Sequence, residues 1–326
     1  MLTDRFPPLM LGQSSRSAIG RTVDQQLWIK MASALAAALF LSGYEAAAGQ
    51  TDKTAGVAGE QNIIIHMNEP VSGLLERTPS TFSADCLQPA KVCWYKFRKP
   101  FSSGNLPSVT VMDGVAPLIV LDDTAGITIV IDQELGNEIR DISFSVKGLP
   151  DNTLHSANKD NIYRLIQGLM KQGWDHMYHF PAPRIPGDQA AQIANARSHS
   201  LAHPWFDPRY EASLEHWIKF QNSYHWHFHK NGHYLNLKVR REDSETEPLE
   251  AGTYLTSLEL MTEESYWRKH FEHEQKVQWK ELLPELLEHY RRQRANHEEQ
   301  ARAAGIRIEH SYRDPYIHVL AKQNDN

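Results

Sequence analysis

The residues best placed to do chemistry are three histidines, His225, His227 and His229, that alternate within one run. On a β-strand alternate side chains point to one side of the sheet, and imidazoles spaced in this way can ligate zinc or copper. The run leads into Asn231-Gly232, a dipeptide that suits a type I′ turn because both positions accept positive φ. A two-residue turn there makes Tyr224 to Arg241 a hairpin and fixes its register, so that His229 faces Tyr234, His227 faces Asn236 and His225 faces Lys238. The Lys238 ammonium repels a bound cation, and no carboxylate faces the set. The other side carries Tyr224, Trp226, Phe228, Leu235, Leu237 and Val239, the content of a core. The expectation is a half-buried hairpin with its histidines toward solvent, a periplasmic metal-binding protein being the alternative.

The remaining candidates are weaker. His199 and His203 lie four apart but are followed at once by Pro204, and His270-Phe271-Glu272-His273-Glu274 has the letters of a zinc-protease motif in the wrong order. Asp122-Asp123 reads as a turn, where carboxylates are solvated. There is no G-x-S-x-G elbow, no H-E-x-x-H, no phosphate-binding loop and no G-x-G-x-x-G after a strand. The chain is therefore not expected to be an enzyme or to carry a cofactor. A hydrolase of the cell envelope with a dispersed site remains an alternative, since triads assemble in space.

Cys86 and Cys93 are the only two cysteines. Six residues separate them, including Pro89, so the chain can turn back and pair them, and closing so short a loop stabilises by about 2–3 kcal/mol. Such a bond persists in an oxidising compartment. The N-terminus agrees: Arg5, Arg16, Arg21 and Lys30 precede Met31 to Leu41, a run of uncharged residues, which is the layout of a signal peptide over residues 1–43. A membrane-spanning helix needs about 20 apolar residues, and Glu45 interrupts before that. Leu41-Ser42-Gly43 is also what precedes the acylated cysteine of bacterial lipoproteins. Tyr44 follows here, and a phenol cannot form the thioether. The expected address is the periplasm, with membrane tethering confined to relatives that carry the cysteine.

These groups need elements to hold them. With 34 Lys+Arg against 40 Asp+Glu among 326 residues, the formal charge is −6, which argues against nucleic-acid binding. Residues 44–60 are small and polar, a tether. A strand-rich lobe over 61–150 follows, with strands at Asn62 to Met67, Ser108 to Met112, Pro117 to Leu121, Gly126 to Asp132 and Asp141 to Val146. The lobe over 151–326 should begin with a helix bearing Ile162, Leu165, Ile166, Leu169 and Met170 on one face, capped by Ser156 or Asn158 and ended by Gly173, then a strand at Trp174 to Phe180. Pro181, Pro183 and Pro186 mark a loop, helix resumes at Glu211 to Phe220, and Thr262 to Ala304 is a charged helical region with Thr262 as N-cap, Gly305 at its end and Pro284 either kinking it or splitting it in two. The fold class is α+β.

Three segments carry a resemblance to a known family: TFSADCLQPAKVCWYKFRKPFSSGNLPSVTVMDGVAP (81–117), YRLIQGLMKQGW (163–174) and YWRKHFEHEQKVQWKELLPELLEHYRRQRA (266–295). They resemble the immunity lipoproteins that accompany phospholipase effectors of type VI secretion. The resemblance implies a periplasmic partner-binding protein whose ligand is a cognate secreted phospholipase, inhibited by occlusion. Surface candidates for that contact are the Pro181 to Asp188 loop and Trp205-Phe206, without assignment of interface residues.

Overall fold

Eight strands hydrogen-bond into one antiparallel sheet, and their order runs across the whole chain. The structure is a computed structural model and describes residues 62–78, 81–193, 207–219 and 223–320. The residues expected to form a signal peptide and tether, 1–60, and His199, His203, Trp205 and Phe206 lie outside those described. From one edge the strands are β2 (Ser83–Leu87), β3 (Val92–Arg98), β6 (Thr124–Asp132), β7 (Asp141–Val146), β12 (Ala251–Thr262), β11 (His233–Asp243), β10 (Ser223–Lys230) and β9 (Asp175–His176). A ninth, β8 (Thr153–Leu154), pairs with the start of β12. A smaller sheet is made of β1 (Asn62–His66), β4 (Ser108–Asp113) and β5 (Ala116–Leu121), with β1 parallel to β4.

Alternation gives the large sheet an apolar inner face. Phe97, Ile127, Phe144, Leu258, Leu237 and Trp226 are register partners in sequence across six strands, and Tyr95, Ile129, Ile142, Leu260, Leu235 and Phe228 form the next row. Against these rows pack the small sheet, a short helix α1 (Val71–Arg77) and α2 (His155–Lys171), which contributes Ile162, Ile166 and Leu169. Each such side chain, fully buried, stabilises by about 1.5–3 kcal/mol. All of them belong to one cluster that spans residues from Ile63 to Leu260. The segments on either side of residue 150 share one core: β7 from the first half pairs with β12 from the second.

Helix ends follow local chemistry in two places. After α2, Gly173 at φ +88° lets its own N–H reach the Met170 carbonyl and the Trp174 N–H reach that of Leu169, closing the helix in a Schellman motif. The start of α2 differs from expectation. Ser156 and Asn158 lie inside the first turn, and Asn158 instead donates to the carbonyls of Thr153 and Leu154, tying the helix to the end of β8. After Gly173 the chain pairs over Asp175–His176, with the Met177 N–H still donating to the His227 carbonyl at 2.9 Å, and the strand stops short of Phe180, whose side chain joins that of Met177 in a second core.

That second core covers part of the outer face of the large sheet. It joins Tyr234 and Met261 of the sheet with Met177, Phe180, Tyr266, Trp267, Trp279 and Leu283. The region expected to be helical and kinked or split at Pro284 is two helices, but the division lies earlier: α5 (Glu263–Arg268) and α6 (Trp279–Ala303) are joined through a 3₁₀ stretch at His273–Gln278; α3 (Gly187–Ile193) and α4 (Leu214–Lys219) complete the helices among the described residues. Thr262 caps α5 as expected, its hydroxyl accepting from the Ser265 N–H at 3.2 Å. Pro284 sits in the second turn of α6, where the bond it removes is the one to the Lys280 carbonyl, and the helix continues through it. Gly305 ends α6 in a second Schellman motif. The Pro-rich loop is packed rather than presented: Ala182 and Ile185 are buried, Arg184 binds Glu298 at 2.7 and 2.9 Å, and Arg294 binds Asp314 and the Ala182 carbonyl.

Candidate functional site

The hairpin carries the three histidines in the expected register, with Asn231 at φ +49° and Gly232 at φ +72° forming its turn. Tyr224, Trp226 and Phe228 are completely buried on the inner side. The histidine side, however, is not open to solvent throughout. His227 is only 7 % exposed and His229 is half-buried, because the helices of the second core and the 177–180 segment close over them. His229 packs edge-on against Tyr234, which in turn stacks on Tyr266 at 3.9 Å. A hairpin of 18 residues cannot announce a cover supplied by chain elements before and after it.

A line of polar contacts crosses the outer face from the buried histidine. The Nδ1 of His227 contacts the Oδ1 of Asn236 at 2.6 Å, and the Asn236 amide donates to Glu259 at 3.3 Å. Lys269 then donates to Glu259 and, at 2.7 Å, pairs with Asp141. The pairing follows from register, since His227, Asn236 and Glu259 are opposite one another on β10, β11 and β12. Burial raises the Asp141 carboxyl above its ordinary range despite Lys269. Burial works against the Lys269 ammonium, but Asp141 and Glu259 outweigh it and hold the group above its usual value. Glu259 and Lys269 were invisible to motif reading, since neither belongs to a motif.

More histidines gather beneath the helical cover. The rings of His179 and His227 are 5.7 Å apart, and His176 packs edge-on to Tyr178 at 4.3 Å. Burial pushes His227 down to about 3, with His179 adding to the effect. It pushes His179 down to about 4 with help from His270, and His176 down to about 4 against the attraction of Asp207, 3.8 Å away. These are neutral, structural imidazoles at neutral pH. Among the described residues no group of three or more His, Cys, Asp or Glu side chains could hold a metal ion. His225 instead meets the Ser223 hydroxyl at 2.8 Å.

The other candidates are local. Asp122 accepts from Ser108 at 3.0 Å and Asp123 sits at φ +49°, so the pair makes a turn. His270 donates from Nδ1 to the Tyr266 carbonyl at 3.0 Å. The Ser213–His216 contact of 3.1 Å belongs to the start of α4, where Ser213 also accepts from the His216 N–H. Cys86 and Cys93 are bonded as expected: they are direct cross-strand partners in the β2–β3 hairpin, with Cα atoms 4.1 Å apart. No helix among the described residues is long and apolar enough to cross a membrane. Compared with protein-family models, with characterised proteins and with solved structures, the chain matches none.

Proposed function

We propose that this protein acts by occupying another protein: an exported immunity protein that binds a phospholipase effector of type VI secretion and blocks it. The observation that carries the reading is where the three resembling segments fall. Residues 81–117 build the disulfide hairpin and β4, and reach into β5; residues 163–174 are the core-facing part of α2; residues 266–295 run from α5 into α6. The first two segments contribute to the main core and the third to the second core, so the reading draws on both cores of the fold and not on one element.

The chemistry of the chain fits that role. Inhibition by occlusion needs no reactive group on the inhibitor, only a rigid surface. A sheet whose two central rows are apolar across six strands supplies rigidity, and the Cys86–Cys93 bond suits an oxidising compartment. Residues 1–43 would direct export, and Tyr44 would leave the mature protein without an acyl anchor. Protective binding calls for about nanomolar affinity, near −12 kcal/mol.

The test is co-purification with the phospholipase of the producing cell, followed by an assay of residual lipid hydrolysis. A stoichiometric complex with hydrolysis abolished is expected. Full lipase activity in the presence of excess protein, or phospholipid turnover by the purified chain alone, overturns the reading.

A further inference from the structure

We propose that the free edge of β1 pairs with β1 of a second copy of this chain, joining two small sheets into one. The inference does not depend on the lipase reading. In the small sheet β4 is central, so β1 and β5 are its edges. The Met67 N–H donates to the Met112 carbonyl of β4 at 2.9 Å, and this sets the parity of the strand: odd-numbered residues turn their backbone groups toward β4, while Asn62, Ile64 and His66 turn theirs to the open side. The His66 N–H is met there by Glu69 at 3.0 Å, a carboxylate held in turn by Arg77. The backbone N–H and C=O of Ile64 have no partner among the described residues.

An unpaired edge is a template for another strand, and folds blunt such edges with charge, proline or a cover. The outermost strands elsewhere are blunted. On β5 the Gln172 carboxamide takes both backbone groups of Val120, accepting from its N–H at 2.7 Å and donating to its carbonyl at 3.1 Å, and Lys230 donates to the Leu118 carbonyl at 2.9 Å. In the large sheet β2 carries Asp85, and β9 is two residues long and carries Asp175. β1 reads Asn-Ile-Ile-Ile-His, with neither charge nor proline. Its solvent side is uncharged as well: Ile64 is 43 % exposed and lies in register with Thr110 and, beyond it, with Val120, which is 38 % exposed.

Symmetry and charge identify the occupant as a second copy. In an antiparallel pair, opposite residues whose backbone groups both face the partner exchange N–H···O=C bonds in both directions. A two-fold axis at Ile63 sets each Ile64 opposite the partner's Asn62, satisfies the free backbone groups of both residues, and stops short of His66, where Glu69 stands. Self-pairing brings a strand's own charges close together, which is how edge lysines and glutamates prevent it, and this strand has none to repel. Its five residues span about 17 Å. An edge of that length buries less than the roughly 1,200 Å² of a standard interface, so the dimer is reversible and of micromolar rather than nanomolar strength.

Sedimentation velocity of the purified full chain from about 1 μM to about 500 μM tests the pairing, with amide exchange followed at both ends of that range. A monomer–dimer equilibrium is expected, with exchange of the Ile64 amide slowed at the high concentration. Ile64→Lys places two ammonium groups diagonally across the axis from side chains that point to solvent, and should weaken the dimer at least about tenfold with an unchanged melting temperature. Ile64→Thr, uncharged and β-branched, should retain it. A monomer at every concentration, the result if the edge serves a strand of a different protein, overturns the proposal. So does an Ile64 amide equally protected at both concentrations, the result if the chain's own residues cover the edge, or a dimer indifferent to Ile64→Lys. No lipase enters the assay, so its outcome leaves the preceding reading untouched.

Discussion

Acidification between pH 7 and pH 5 should cost this fold several kcal/mol through three buried histidines. In the unfolded chain each imidazole titrates near 6.5, whereas burial holds His176 and His179 near 4 and His227 near 3. The unfolded chain therefore takes up protons first. Stability is full above pH 6.5 and is lost as the pH falls toward the folded values, by about 1.4 kcal/mol per unit for each group. From pH 7 to pH 5 each contributes roughly 2 kcal/mol, and the three together roughly 5 kcal/mol. The groups that face them do not reverse the sign: Asp207, Arg209 and Glu309 surround His176, His270 and Arg294 lie by His179, and Asn236 and His179 by His227. Carboxylates act in a different window. Against the pull of burial, the Arg184 guanidinium holds Glu298 below its ordinary value, so its contribution is lost only below the usual carboxylate range. Urea titrations at pH 7, 6 and 5 measure the slope. His227→Asn keeps a donor for Asn236 and removes one titrating group, so it should flatten the slope by about a third. Equal stability at pH 7 and pH 5, or an undiminished slope in His227→Asn, would refute the reasoning.

Three further outcomes are expected. Reducing the Cys86–Cys93 bond opens a loop whose ends are seven residues apart, worth about 2.5 kcal/mol in the chain-entropy model, and because every residue of β2 is exposed, amide exchange should accelerate there before anywhere else in the sheet. Trp267→Ala empties a fully buried site in the second core and should destabilise by about 3–5 kcal/mol in denaturant melts, with the emission of Trp279, the other tryptophan of that cluster, shifted to the red. Gly252→Ala would place a Cβ 2.7 Å from the Glu242 carbonyl oxygen and 2.9 Å from the His155 ring, so a loss of about 1–3 kcal/mol is expected, and a neutral result would show that β11 and β12 yield locally.

Local chemistry was legible in the sequence where it decides alone. Asn231-Gly232 dictated the hairpin and therefore all of its register, and Gly173 and Gly305 ended their helices as left-handed caps. Elements that depend on remote partners were harder to see. β12 is the central strand of the sheet, yet Leu255 and Met261 fall on its outer side among Ser257 and Glu259 and blur the alternation of Tyr254, Leu258 and Leu260. β2 buries nothing, so no pattern marks it beyond Cys86 itself. The histidine side of the hairpin looked wet because its cover comes from residues 177–180 and 266–283, which no local window includes.

The pairing of β7 with β12 joins strands more than a hundred residues apart along the chain. Contacts so distant form slowly, because the intervening loop must close before any ladder energy is gained. A polypeptide emerging N-terminus first would present β7 as a naked edge until Ala251–Thr262 arrived, inviting the wrong neighbour. Completion of the large sheet therefore waits on residues 251–262, and folding of the shared core is coupled to the arrival of that one strand.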